Sequence, residues 1–289
     1  MRSIKAWVLP FLLAAALATA GCALSDDGPD ARTEAIVVNH ASIELEGIPS
    51  TWITQAKQTL HIAYGHTSHG SQLTTGMAGL VTWKGDQYAF NAGGTGGALD
   101  LREGVFGTAQ DLGNPDRSAW ANATRTTLDQ NPAINVIIWS WCGQVDGTEA
   151  EIQHYIDLME GLEDDYPDVT FVYMTGHTDG APLTGNVPLR NKQIRDYCLA
   201  NNKVLYDFAD IESYDPDGDY FGDKLVNDAC DYDSNSDGVR DSNWAIIWQN
   251  AHPGEWYNCE SAHSQPLNAN LKAYAAWHLW ARLAGWDGN

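Results

Sequence analysis

Basic side chains are scarce in this sequence: 16 Lys and Arg stand against 38 Asp and Glu in 289 residues, a formal charge of −22. That shortage argues against nucleic acid as a partner, because phosphate contacts require a positive surface. Charged residues of both signs together make only 19%, and hydrophobic residues make 44%. The chain is therefore outside the disordered class and long enough to bury a sizeable core. None of the five cysteines stands in a Cys-x-x-Cys or Cys/His spacing, so no structural zinc site is expected. There is no internal repeat and no sign of a second domain. The apolar run at residues 6–18 is too short for a comfortable membrane span.

That run instead reads as a targeting segment. Arg2 and Lys5 precede it, and Thr19-Ala20-Gly21-Cys22 follows. Small residues ahead of a cysteine resemble a bacterial lipoprotein signal. The resemblance implies cleavage of residues 1–21, acylation of Cys22, and export to the outer membrane or cell surface, with the membrane touched only through the lipid. Thr19 stands where that pattern usually has Leu, and the alternative is an ordinary secretory signal that contains a cysteine. Residues 22–33 read as a flexible tether. In an exported protein disulfides persist. Cys230 and Cys259 are the preferred pair because both flank one polar insertion, while Cys142 and Cys198 are either a second pair or two buried thiols.

From residue 34 onward, strand and helix patterns alternate. Apolar or alternating runs at 34–38, 59–64, 134–139, 169–174 and 204–208 read as strands. Helical spacing predicts helices over 48–57, 71–83, 120–130, 147–162, 189–200 and 266–284. Residues 85–118 read as a glycine-rich loop, and 213–258 as an acidic, irregular insertion. The alternation predicts one α/β domain over 34–289: a three-layer α/β/α sandwich on a mainly parallel, flavodoxin-like sheet.

In such sheets sites form at the carboxyl ends of the strands, and here those ends are polar. They carry Gly65-His66-Thr67-Ser68-His69-Gly70, Ser140-Trp141-Cys142-Gly143-Gln144 and Thr175-Gly176-His177-Thr178-Asp179-Gly180. A fourth polar segment, Cys259-Glu260-Ser261-Ala262-His263-Ser264, precedes the last helix. Ser68 either caps the helix that follows it or acts as a nucleophile activated by a base. His66, His69 and His177 are candidates for zinc ligation or for hydrogen bonds to substrate. Trp139 and Trp141 alternate along their strand, which sends one into the core and the other, Trp141, towards the site. Asp179 and Arg190 are substrate-binding or surface residues. In the insertion, Asp233-Ser-Asn235-Ser-Asp237-Gly238-Val-Arg-Asp241 has the oxygen ligands and sixth-position glycine of a calcium loop, but Trp244 stands at the twelfth position in place of Glu. The alternative is a solvated acidic turn.

In their order, these segments resemble the blocks of the SGNH (GDSL-like) hydrolases over residues 59–284. Gly65-His-Thr-Ser68 stands where that family has Gly-Asp-Ser. Asn91-Ala-Gly-Gly-Thr-Gly-Gly97 stands where it has an oxyanion-hole glycine, here Gly94 or Gly96. Gly143 and Gln144 stand where it has Gly-x-Asn, and Glu260-Ser-Ala-His263 where it has Asp-x-x-His. The resemblance implies a serine esterase that works through an acyl-enzyme on Ser68. His263 is general base and acid, Glu260 orients it, and no cofactor is required for the chemistry. A surface location and twelve tryptophans point to acyl esters on carbohydrate, because aromatic faces stack on sugar rings. The partner expected is thus a small-molecule or glycan ester. Two other classes stay open: a metal-dependent hydrolase built on His66, His69 and His177, and a non-catalytic glycan-binding protein on a degenerate hydrolase scaffold.

Overall fold

A computed structural model describes residues 32–288; Cys22 and the expected signal lie outside the described residues. The chain begins with β1 (Ile36–Val38) and α1 (Ser50–Thr59), then β2 (His61–Gly65), α2 (Ser71–Lys84), β3 (Phe90–Asn91) and β4 (Leu99–Glu103). There follow α3 (Ala119–Gln130), β5 (Val136–Trp139), α4 (Glu149–Asp165), β6 (Thr170–Met174), α5 (Asn186–Ala200), β7 (Val204–Tyr206) and α6 (Phe208–Ile211). The insertion adds β8 (Asp231–Tyr232), β9 (Ser242–Asn243) and α7 (Trp244–Ala251), and α8 (Pro266–Leu283) closes the fold.

The central sheet has seven strands in the order β1-β7-β6-β5-β2-β4-β3, and every pairing is parallel. From β2 the chain crosses to β4 on one side and then to β5 on the other, so the strand order reverses at β2. A crevice opens at such a reversal, at the carboxyl ends of the strands. Successive strand residues point to opposite faces, and the cores follow that period. Ile62 and Tyr64 of β2 join α1, α2 and α8 on one face, while Ala63 joins α3, α4 and α5 on the other. This is the expected three-layer α/β/α sandwich. Helix α8 is buried almost all round, including the polar Asn268, Asn270 and Lys272.

Two expected loops contain regular structure. Residues 85–118 hold β3 and β4, and Leu99 and Leu101 of β4 bury their alternate side chains. The glycines before β4 obscured that alternation, which spans only five residues. The insertion holds α7, a run of eight residues with Trp244 and Trp248 buried. Eight of the eleven described tryptophans are buried, so their number reflects the core and gives no preference for a sugar substrate. Trp141 is one of them, and its indole N–H donates to the Met174 carbonyl, so it is a core residue rather than part of the site.

The expected calcium loop is the connection of the β8–β9 hairpin, not a helix–loop–helix. Asp233 accepts from the amides of Asn235, Ser236, Asp237 and Gly238, and Asp241 accepts from the amide of Ser234 and the side chain of Asn235. Asp237 caps the amide of Val239. These carboxylates order the turn from within through hydrogen bonds to its own amides. Nor is the Cys230–Cys259 bridge formed. Cys230 packs against the Ser264 hydroxyl and Cys259 accepts from the Asn270 amide, and both are free thiols, as are Cys142 and Cys198.

The end of β2 depends on glycine for a close approach. A Cβ at Gly65 would lie 2.1 Å from Cε3 of Trp139, a fully enclosed ring on β5. Gly65→Ala is therefore expected to destabilise the fold by about 1–3 kcal/mol, the usual cost of overpacking. The effect would be read as a lower urea midpoint with an unchanged slope; an unchanged midpoint would mean that β2 and β5 are free to separate.

Candidate active site

The polar segments at the carboxyl ends of β2, β5 and β6 meet the loop before α8. After Gly65 the chain makes a 3-10 turn, Ser68–Gly70, that leads directly into α2. Ser68 does not cap that helix with its side chain. Its Oγ lies 2.5 Å from Nε2 of His263, 195 residues further along the chain. Both residues have left-handed backbones, with φ of 39° at Ser68 and 62° at His263. Left-handed geometry costs a non-glycine residue about 1–2 kcal/mol and persists only where the surroundings impose it. Ser68 is half-buried and His263 exposed, so the pair opens to solvent. The amino end of α2 adds a positive dipole end beside Ser68.

Buried polar contacts hold the His263 loop on both sides. Gln72 of α2 donates to the Ala262 carbonyl at 2.5 Å, and Asn268 of α8 donates to the Ser264 hydroxyl at 2.7 Å. Beneath them, Lys272 and Glu212 form a fully enclosed ion pair at 2.5 Å. The Lys272 ammonium also donates to Gln72 and lies 3.6 Å from the centre of the Phe208 ring. Burial drives the Lys272 ammonium below the usual lysine pKa, while Glu212 opposes that shift. The second Glu212 oxygen accepts from the Thr178 amide and hydroxyl, which ties the β6 loop to the same network. The sequence reading missed Gln72, Glu212, Asn268 and Lys272. A lysine and two asparagines inside an otherwise apolar helical pattern were the available signal.

Glu260 does not take the role expected of it. It is exposed and makes no hydrogen bond to His263; the left-handed turn at His263 separates two side chains that an i, i+3 spacing on a regular turn would bring together. Instead, the His263 ring stacks on His69, with centroids 4.5 Å apart and planes at 19°. His69 stacks in turn on His177 at 3.9 Å and 8°. Nε2 of His69 lies 2.8 Å from Oδ2 of Asp228, a residue of the insertion. Burial lowers the His69 pKa, opposed by the Asp228 hydrogen bond. Burial alone would raise the Asp228 carboxyl, but the His69 hydrogen bond and the nearby imidazoles bring it below the usual value. Nδ1 of His177 lies 2.7 Å from the Thr178 carbonyl.

Among the described residues, His69, His177 and Asp228 are the one group of three metal-type donors lying within 4.8 Å of one another. Their arrangement does not suit zinc as it stands. An imidazole ligates through a lone pair in its own plane, about 2.1 Å from the ion, and two stacked rings at 8° have no shared in-plane point. His66 is not of this group. Its Nε2 lies 2.6 Å from Glu103 at the end of β4, and the His66 hydrogen bond lowers the Glu103 pKa.

The remaining expected site residues are dispersed. Gly94 lies against Asp100, whose register partner His61 is the first residue of β2. The loop holding Gly94 and Gly96 is thus at the amino edge of the sheet, four strand residues or about 13 Å from Gly65, and it is no part of an oxyanion hole. The loop that does reach Ser68 follows β4: Asp111 accepts from the Thr67 hydroxyl at 2.5 Å, and Gly113 packs on Gln144. Gly143 is exposed beside the site with open space around it, while Gln144 turns its side-chain oxygen back to the Cys142 amide. Arg190 donates to Gln193 on its own helix and faces Glu149 at the start of α4. Asp179 bridges to Asn227 in backbone pairing and so helps to bring Asp228 to the imidazoles.

No protein-family model matches this chain, and no curated protein matches it.

Proposed function

We propose that this protein is a serine esterase of SGNH type, exported and anchored through Cys22. The observation that carries the proposal is the Ser68 Oγ–His263 Nε2 hydrogen bond between two backbone-strained residues at the sheet's strand-order reversal. A serine hydroxyl is a weak nucleophile until a neighbouring base accepts its proton. In the proposed reaction Ser68 Oγ attacks the ester carbonyl as His263 Nε2 takes the hydroxyl proton. His263 then gives that proton to the departing alcohol, and an acyl-enzyme remains. Water, deprotonated by the same imidazole, releases the acid. The Ser68 amide and the exposed Gly143 amide are the donors proposed for the oxyanion. Orientation of His263 is assigned to its anchored loop and to the His69 ring, not to Glu260.

The substrate proposed is an ester reached from solvent, and the buried tryptophans give no support to a sugar over another alcohol. The metal-dependent alternative has less behind it, because His69 and His177 are parallel and His66 belongs to Glu103. The proposal is tested by turnover of 4-nitrophenyl acetate with chelator present. Hydrolysis by the wild type and none by folded Ser68→Ala is expected; equal rates in the two would overturn the serine mechanism.

A further inference from the structure

A second nucleophile–base pair lies beside the first; of its groups only the His69 ring also serves the ester mechanism, as the support on which His263 stacks. Cys142 leaves the end of β5 half-buried, with Sγ 3.7 Å from Nδ1 of His69. The opposite ring nitrogen, Nε2, lies 2.8 Å from Asp228. A carboxylate is acceptor-only, so the proton of neutral His69 is on Nε2 and the Nδ1 lone pair faces the thiol. His177 and His263 stack on the His69 ring and fix its plane. A carboxylate that holds one nitrogen of an imidazole while the other meets a nucleophile is the general logic of a catalytic triad.

We infer that Cys142, His69 and Asp228 form a thiol–imidazole–carboxylate relay, a second nucleophilic centre for soft electrophiles such as alkylating agents. As Sγ bonds to the electrophilic carbon, its proton passes to Nδ1 of His69. The leaving group departs with its bonding electron pair, and Asp228 stabilises the imidazolium until solvent removes the proton. Ser68 takes no part, so the inference is independent of the esterase proposal.

The other thiols are internal controls. Burial pushes Cys230 up to about 12 and Cys259 up to about 11, and Cys198 is raised further by the same cause. Such thiols are poor nucleophiles, because the thiolate is the reacting form. The test is iodoacetamide alkylation near neutral pH with chelator present, with the rate at each cysteine read by peptide mapping. Cys142 should react at least tenfold faster than both Cys259 and free glutathione. His69→Gln and Asp228→Asn should each slow it at least fivefold, while Ser68→Ala leaves it unchanged. Continued protection of Cys198 reports that each variant is folded. Alkylation of wild-type Cys142 no faster than glutathione would overturn the inference, as would an unchanged Cys142 rate in folded His69→Gln or Asp228→Asn.

Discussion

Ser68→Ala and His263→Ala are each expected to lower kcat/KM for 4-nitrophenyl acetate by roughly 10⁴-fold, and the double variant by no more than either alone. The serine and its base act in one proton transfer, so removing either abolishes the same step; such units are strongly non-additive. Their hydrogen bond of 2.5 Å is what makes them one unit here. Glu260→Gln should change the rate less than about threefold, because Glu260 makes no hydrogen bond to His263 and a carboxylate contributes to a triad only through that bond. Steady-state kinetics on the four variants would decide. Additive losses from Ser68 and His263 would contradict a shared step, and a loss at Glu260 matching that at His263 would restore a conventional triad.

The second large effect concerns the ion pair below the site. Lys272→Met leaves Glu212 charged, dehydrated and without its cation, and breaking such a pair costs about 3–5 kcal/mol. Both side chains have no exposed surface, so bulk water offers no compensation. The double variant Lys272→Met/Glu212→Leu removes both charges and should recover part of that loss, although the Thr178 amide then loses its acceptor. Urea unfolding of the three proteins is the measurement. A loss under about 1 kcal/mol in Lys272→Met would mean that water reaches the pair. A double variant no more stable than Lys272→Met would mean that the two residues do not compensate each other.

Much of the frame was legible from the sequence because parallel strands are continuously apolar and their helices carry a clear period. Runs such as Val136-Ile-Ile-Trp139 and the spacing of Ile152, Ile156, Met159 and Leu162 each permit one reading. Strand β4 was not legible, since Leu-Asp-Leu-Arg-Glu is short, half-charged and preceded by glycines that belong to loops. The Ser68–His263 pairing followed from segment order, not from local pattern, and distance in the chain was no obstacle. Local spacing misled at Glu260 and His263, because a left-handed backbone at His263 breaks the periodicity that an i, i+3 argument assumes. It misled again at Gly94 and Gly96, where glycine content cannot tell which edge of the sheet a loop occupies. Asp228 and the buried Glu212–Lys272 pair could not be read at all: each acquires its role only through partners brought together by the tertiary fold.

The central claim is that His263 activates Ser68. Its most direct test is peptide-mapped mass analysis of the mature protein after treatment with a fluorophosphonate, in the wild type and in folded His263→Ala. The account predicts one phosphonyl adduct, on Ser68, that is absent from the variant. An unlabelled Ser68 in folded wild-type protein, or equal labelling with and without His263, would contradict it.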